Sequence, residues 1–430
     1  MINKIFCLVL LANISLISLH AQEVSLKEMA LDAFKKENYN EAVAILEDAL
    51  KESPNDPEIY YYLGFFNHYR AYDSRPLSGY DYAYSERIFG YLSKAIELSP
   101  DYGDAKYFYG AECSGNAFVA MQNYRIDSLR YFYNMAGKKG AYPPWLKELG
   151  KNMLQACDEN AILFTGGNAD FDICSYLQLI ENYRTDITLI PIGNIDRPWY
   201  VKFLKTGLKG GVKAVNLNLT EAQILDIHPF KWDASTIVIP VSEKDKIRFN
   251  LPHTAVLEWE VAPDLFSERM HSKIESEKAK PRTYLSPQRA MLVQIVEDNF
   301  AYRPIYFSNF ASPSFYGGLD SNFQNCGLIS KLLPFSAPGT GYELDTAKLE
   351  QLFQKENLQN YKSVKTCDIP RISGIGTAYY HAMVLLAGEY NKNKEISKLR
   401  EVKDIYNAQL KIGFRQDFEE AIWKELNKDN

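Results

Sequence analysis

Two prolines and two glycines frame the first part of the chain. Pro54 and Pro100 each close an apolar-periodic segment, and each is followed ten residues later by a glycine, Gly64 and Gly110. Proline ends a helix because it lacks the N–H and its ring clashes with the preceding turn. Glycine inside a helix lets a neighbouring helix come close, since no Cβ stands in the way. The segment "YNEAVAILEDALKESP" sets Leu46, Ala49 and Pro54 where "YLSKAIELSP" later has Leu92, Ala95 and Pro100. Upstream, Met29, Ala30, Ala33 and Phe34 share one helix face; Tyr39, Ala42, Leu46, Ala49 and Leu50 share another. The three-and-four spacing predicts amphipathic helices. The alanines predict close pairs, each exposing an apolar face that the next must cover.

From Glu23 to Pro54 these small and aromatic positions match the tetratricopeptide repeat, which the segment resembles. A second copy follows, with an insertion of roughly Ala71 to Tyr82 between its helices. A third, degenerate copy runs from about Asp104 to Lys139, and Pro143, Pro144 and Trp145 open a further helix ending near Cys157. The resemblance implies an α-solenoid whose concave surface holds a partner peptide or protein.

After Cys157 the rhythm changes. "AILFTGG" reads as a buried strand, "DFDICSYLQLIENY" as a helix with Ile173, Leu177 and Ile180 on one side, and "DITLIPIG" as a second strand. "RPWYVKFLKTG" is helical again and "STIVIPV" reads as a third strand. Such alternation predicts parallel strands joined by crossover helices. The helix "QRAMLVQIVEDNF" then leads into "RPIYFSNF", a short strand opened by Pro304 and expected beside "ILFT" or "TLIPI". The last stretch is helical, and "TAYYHAMVLLAGEYNKNK" resembles one more repeat helix. The expected fold class is therefore α plus α/β. A signal peptide at 1–21 precedes a helical-repeat solenoid at 22–158, an α/β domain with a mostly parallel sheet at 159–345, and C-terminal helices at 346–430.

The blocks "ILFT" with its glycine-and-acid turn, "YRTDITLIPIGNID", "WYVKFLK", "RPIYFS" and "YGGLDSNFQNCGLISKLLP" occur in the order of a known soluble region. From roughly Asn160 to Phe353 the chain resembles the C-terminal extracytoplasmic part of large bacterial envelope proteins, membrane glycosyltransferases of the protein O-mannosyltransferase type. Trp199, Tyr200, Arg303, Pro304, Tyr306, Gly318, Leu319 and Asp320 match that pattern. The family's turn usually reads Gly-Asp-Asn-Asp; here it is Gly167, Asn168, Ala169 and Asp170, so two of the three polar positions differ. Glycosyl transfer belongs to that family's multi-pass membrane half, which this chain lacks. The resemblance thus implies a fold, an envelope location and an association with helical repeats, and no transferase activity.

The N-terminus "MINKIFCLVLLANISLISLHAQ" has the layout of a secretory signal peptide, with Lys4, an apolar core from Ile5 to Leu19, and Ala21 before the expected cut. No other stretch approaches the length of a membrane span. The expected location is the periplasm or the outer membrane of a Gram-negative bacterium. A net charge of −6 gives no reason to expect nucleic acid as partner. Cys113, Cys157, Cys174, Cys326 and Cys367 are odd in number and include no CxxC pair, so no structural disulfide and no zinc site are expected. His68, His228, His253, His271 and His381 lie too far apart in sequence for metal-ligand spacing. No metal and no cofactor are expected.

In an open α/β sheet ligands sit beyond the carboxyl ends of the strands. The candidate ligand-binding residues there are Gly167, Asn168, Asp170 and Asp172 after the first strand, Asn194, Asp196 and Arg197 after the second, and Asn309 after "RPIYFS". Acids beside an arginine hold a cation or a sugar, or serve as acid and base. The competing assignment is structural: Asp170 or Asp172 caps a helix, Arg197 pairs with an acid, and the glycines supply the turn. The sequence reads as an exported, non-catalytic envelope protein that binds an envelope protein or peptide through its repeats. The alternative is a glycan-related enzyme or sugar-binding protein acting at the strand-end turn.

Overall fold

The structure is a computed structural model that describes residues 25–73, 80–264, 283–336 and 343–411. The expected signal peptide, part of the insertion after Ala71, the run "SERMHSKIESEKAK" and the end of the C-terminal stretch lie outside the described residues. The chain divides into two compact units, Met1–Glu112 and Cys113–Asn430.

The first unit is helical. Helices α1 (Leu26–Lys35), α2 (Tyr39–Glu52), α3 (Pro57–Asp73) and α4 (Ser85–Leu98) are followed by α5 (Ala105–Gln122), in which the unit ends. Ser25 starts α1 with a capping box: its hydroxyl accepts from the Glu28 N–H at 3.2 Å, and the Glu28 carboxylate accepts from the Ser25 N–H at 3.0 Å. Most of the periodic positions face the core, where Ala30, Ala42, Leu46, Ile59, Leu63 and Phe66 are buried together; Met29, expected on the same face, is exposed instead. Phe34 stacks on Phe66 with ring centroids 4.2 Å apart. Gly64 faces Leu92 of α4 so closely that a Cβ on it would stand 2.5 Å from Leu92 Cδ2. That contact gives the physical reason for a glycine ten residues after Pro54.

The second unit takes in α6 (Ile126–Lys138) and α7 (Pro144–Ala156), so the helices expected as a third repeat and its follower belong, from Cys113 on, with the sheet. Then come β1 (Ile162–Thr165), α8 (Asn168–Leu179), β2 (Thr188–Pro191), α9 (Pro198–Thr206) and α10 (Glu221–Leu225). A second stretch holds β3 (Phe230–Lys231), β4 (Ser235–Pro240), α11 (Glu243–Arg248), β5 (Val256–Val261) and β6 (Tyr284–Leu285). Next are α12 (Pro287–Asn299), β7 (Ile305–Ser308), β8 (Phe323–Asn325), β9 (Ile329–Leu332) and β10 (Glu343–Leu344). Helices α13 (Thr346–Leu352), α14 (Ile369–Lys392) and α15 (Ile396–Ile405) follow.

The main sheet has the order β10-β8-β9-β7-β1-β2. Strand β1 runs parallel to both β2 and β7, with Phe164 opposite Ile190 on one side and Phe307 on the other. Strand β9 is antiparallel to β7 and β8, and β10 is parallel to β8. All four residues of β1, β2 and β7 are buried, as strands covered on both faces must be. The strand expected from "STIVIPV" does not join this sheet. It is β4, paired antiparallel with β5 in a separate two-stranded sheet. Burial explains the difference: β5 alternates exposed and buried, with Trp259 inside, while Val238 of β4 is 53% exposed. The pair has one covered face, so its apolar run is not that of a central strand.

Two buried arrangements fix the sheet's surroundings. The Arg303 guanidinium donates to the carbonyls of Asn160, Ala161 and Ala214 and to the Thr188 hydroxyl, clamping the starts of β1 and β2. Burial lowers its pKa to about 10. On the other side, Asn152 of α7 donates to the Tyr379 hydroxyl of α14 at 2.9 Å, and the Glu148 carboxylate accepts from the Asn360 side chain at 2.6 Å. The C-terminal helices thus fold back onto α7. Cys113, Cys157, Cys174 and Cys326 are buried thiols and Cys367 is half-buried.

Candidate functional site

The three parallel strands end together. Register sets Thr165 beside Pro191 and Phe164 beside Phe307, so the turns carrying Gly167, Asn194 and Asn309 lie along one sheet edge. The first and third turns touch: a Cβ on Gly166 would stand 2.3 Å from the Phe310 carbonyl oxygen. Only glycine fits there.

The side chains at this edge are spent on separate neighbours. Asp170, in the first turn of α8, folds back over the β1 turn and accepts from the N–H groups of Gly166 at 2.8 Å and Gly167 at 3.0 Å. It is 2% exposed. Burial raises its pKa, opposed by those N–H groups and by the Ser308 hydroxyl. It therefore serves as the helix-start carboxylate, holding donors that a turn would otherwise leave unpaired. Asn168 opens α8. Asp172 turns the other way: its Oδ1 accepts from Ser114 Oγ of α5 at 2.5 Å and Tyr133 Oη of α6 at 3.3 Å. Burial raises its pKa to about 7, the two hydroxyls opposing and the Asp170 charge adding to the rise.

At the second turn, the Asn194 carbonyl accepts from the Arg197 N–H at 3.2 Å. Asp196 Oδ2 accepts from Gln288 of α12 at 2.7 Å, and burial raises its pKa against the pull of Arg197. Its Oδ1 is buried with no hydrogen-bond partner among the described residues; Arg197 Nε lies 4.0 Å away. Arg197 itself is exposed. Asn309 is tied to the β8–β9 turn, donating to the Gly327 carbonyl at 2.6 Å and accepting from Ser330 Oγ at 3.0 Å. The sheet thus gathers the expected residues on one edge and turns Asp170, Asp172, Asp196 and Asn309 toward four different sets of partners.

The opposite edge holds groups that sequence reasoning passed over. The Asp158 carboxylate, just before β1, accepts from Lys331 Nζ of β9 at 2.5 Å and Lys348 Nζ of α13 at 2.9 Å. Lys348 also donates to Tyr306 Oη at 2.8 Å. Burial would push Asp158 up, but the two ammonium groups outweigh it and hold the carboxyl below the usual range. Next to this pair lies a cleft of about 480 Å³ bounded by α11, the α12–β7 loop and the end of β9. One sequence signal pointed there: a lysine inside the apolar run "LISKLLP" must find a buried acid.

The second unit is thus an α/β body with a mostly parallel sheet and a strand-end turn closed by its own acid. Residues 146–228, from α7 through the β1 turn to the loop after α10, match a family model described as TMEM260-associated domain 2. No curated protein matches the chain.

Proposed function

We propose that this chain is an exported, non-catalytic envelope protein whose first unit, built from repeats of tetratricopeptide type, binds a protein or peptide partner, while the α/β unit is a structural or ligand-binding body. The observation that supports this reading is an aromatic stripe on α3. Tyr61, Phe65 and Tyr69 recur every four residues, so they share one helix face. Tyr61 stacks on Phe65 at 5.9 Å, Phe65 meets Tyr69 edge-on at 4.9 Å, and Tyr69 remains 39% exposed. Tyr61 and Phe65 are half-buried, with Phe65 also packed on Phe34 and Phe108, so they hold the exposed Tyr69 ring in place and it offers apolar area at little cost in side-chain entropy. A glycan is the second partner class. The signal-peptide layout supports export.

The test is quantitative co-purification from envelope extracts with the full chain, its Tyr61→Ser/Tyr69→Ser variant, and Tyr131→Ser as a control on the second unit. The reading expects proteins retained by wild type and control and lost with the double variant. The same set from all three would overturn it.

One observation favours the alternative of a sugar-binding or glycan-related site at the strand-end turn: the buried, unpartnered Oδ1 of Asp196 beside the exposed Arg197. On that reading Asp196→Asn and Arg197→Gln abolish binding of a glycan probe without lowering the melting temperature.

A further inference from the structure

The cleft beside Asp158 has an apolar floor and an unbalanced wall. Phe300, Ile305, Leu332 and Leu333 at its base are buried. The wall is α11, where Lys244 and Arg248 stand four residues apart and so share a face. Of the acids of that same helix, Glu243 pairs with Lys246 and His253, while Asp245, which also lines the cleft, accepts from the Ser242 hydroxyl and keeps its charge. Neither Lys244 nor Arg248 has a carboxylate partner among the described residues, and like charges at this spacing repel one another. The other charges of the lining are largely balanced: Lys331 pairs with Asp158, and Arg303 is saturated by main-chain carbonyls and Thr188. Glu159, exposed at the lip, and Asp245 stand against Lys244, Arg248 and Arg303, so the lining keeps a net positive charge.

Two aromatic rings flank the wall. Arg248 lies over the Phe249 ring at 5.1 Å, which orients the guanidinium, and Tyr302 is 74% exposed. The volume falls within the range of small-molecule sites, roughly 300–1,000 Å³. An apolar floor with two uncommitted cations on one wall suits a molecule with one charged end and one flat apolar end.

We propose that this cleft binds a small organic anion, a carboxylate carried on a flat apolar ring, with Lys244 and Arg248 taking the carboxylate and the ring lying between Tyr302 and the apolar floor. The site lies where β1 and β7 begin, at the opposite sheet edge from the turn of Asp170, and is independent of partner binding by the first unit.

The experiment is ligand-observed NMR titration of the full chain with sodium phenylacetate, neutral phenylacetamide and sodium acetate. Phenylacetate should bind saturably and at least tenfold more tightly than either comparison compound. Lys244→Gln/Arg248→Gln should weaken phenylacetate about tenfold and leave phenylacetamide unchanged, while Lys244→Arg should keep wild-type affinity. Tyr302→Ala should weaken phenylacetate and not acetate. Both cations are exposed, so unchanged melting temperatures would verify that these variants fold. The proposal is overturned if phenylacetate does not saturate, if the neutral amide binds as well, or if the double variant binds phenylacetate like wild type.

Discussion

Asp170 and Asp172 are two residues apart and have opposite duties. Asp170 holds the turn, so Asp170→Ala would leave the Gly166 and Gly167 N–H groups without their acceptor. The expected cost is about 3 kcal/mol, two charge-assisted bonds at roughly 1.5 kcal/mol each; urea denaturation would measure it. Asp172 is an acid that the folded state prefers protonated, with a pKa of about 7 against 3.8 for the unreacted carboxyl. The folded chain therefore binds the extra proton between those values, and stability falls as pH rises from about 4 to about 7. Taken in full, that gap is worth about 4 kcal/mol at 1.36 kcal/mol per pKa unit. Asp172→Asn should abolish this slope and melt higher than wild type at pH 8. Melts at pH 4.5 and pH 8 that keep the wild-type slope in the variant would contradict the assignment. Asp170 as a helix-start acid is legible from its position after a strand and two glycines. The partners of Asp172 are not: Ser114 lies 58 residues away, in a helix whose packing no local pattern announces.

Among the elements, α3 and α4 offer the sharpest test of packing. Alanine favours a helix over glycine by about 1 kcal/mol, yet a Cβ on Gly64 would strike the fully buried Leu92 side chain. Overpacking costs typically 1–3 kcal/mol, so Gly64→Ala should destabilise by about 1 kcal/mol net. In a Leu92→Ala background the collision is gone and Gly64→Ala should become stabilising. A double-mutant cycle reads the sign change directly. The same reasoning shows which strands the sequence reveals. "ILFT", "TLIPI" and "IYFS" are short apolar runs bounded by polar turns, and they became parallel neighbours. "STIVIP" has the same look, but its partner "VLEWEV" alternates strictly, a sign of one-sided burial. Weighing the pair together would have removed it from the central sheet. The clamp by Arg303 was invisible for another reason: three of its four acceptors are main-chain carbonyls, among them two at 142 and 89 residues' separation, and carbonyls leave no trace in a sequence.

For the second unit as a whole, a half-buried acid and a buried one, Asp158 and Asp172, pull stability in opposite directions. Asp158, held below the usual carboxylate range by Lys331 and Lys348, contributes stability that is present above about pH 4 and lost as pH falls further. Asp172 contributes most below pH 4 and progressively less up to about pH 7. The unit should therefore be most stable near pH 4, where the Asp158 limb is complete and the Asp172 decline begins. Calorimetry across pH 3–9 should show a maximum there. Asp158→Asn should lose the acid limb, and Asp172→Asn the neutral one. A maximum at pH 8 in the wild type would show that neither pair dominates.

The placement of the cysteines gives this chain an internal clock. Residues 25–112 contain none, while Cys157, Cys174 and Cys326 sit deep in the second unit, where burial suppresses the thiolate; Cys326 is pushed up to about 12. A buried thiol reacts with an alkylating reagent only when the backbone around it opens. Mass spectrometry of a labelling time course should then show Cys367 modified first and the four buried thiols, Cys113 included, together, at the rate with which the second unit unfolds. Residues 25–112, having no thiol to label, add nothing to that signal. The chain thus reports the opening of its second unit without an engineered probe.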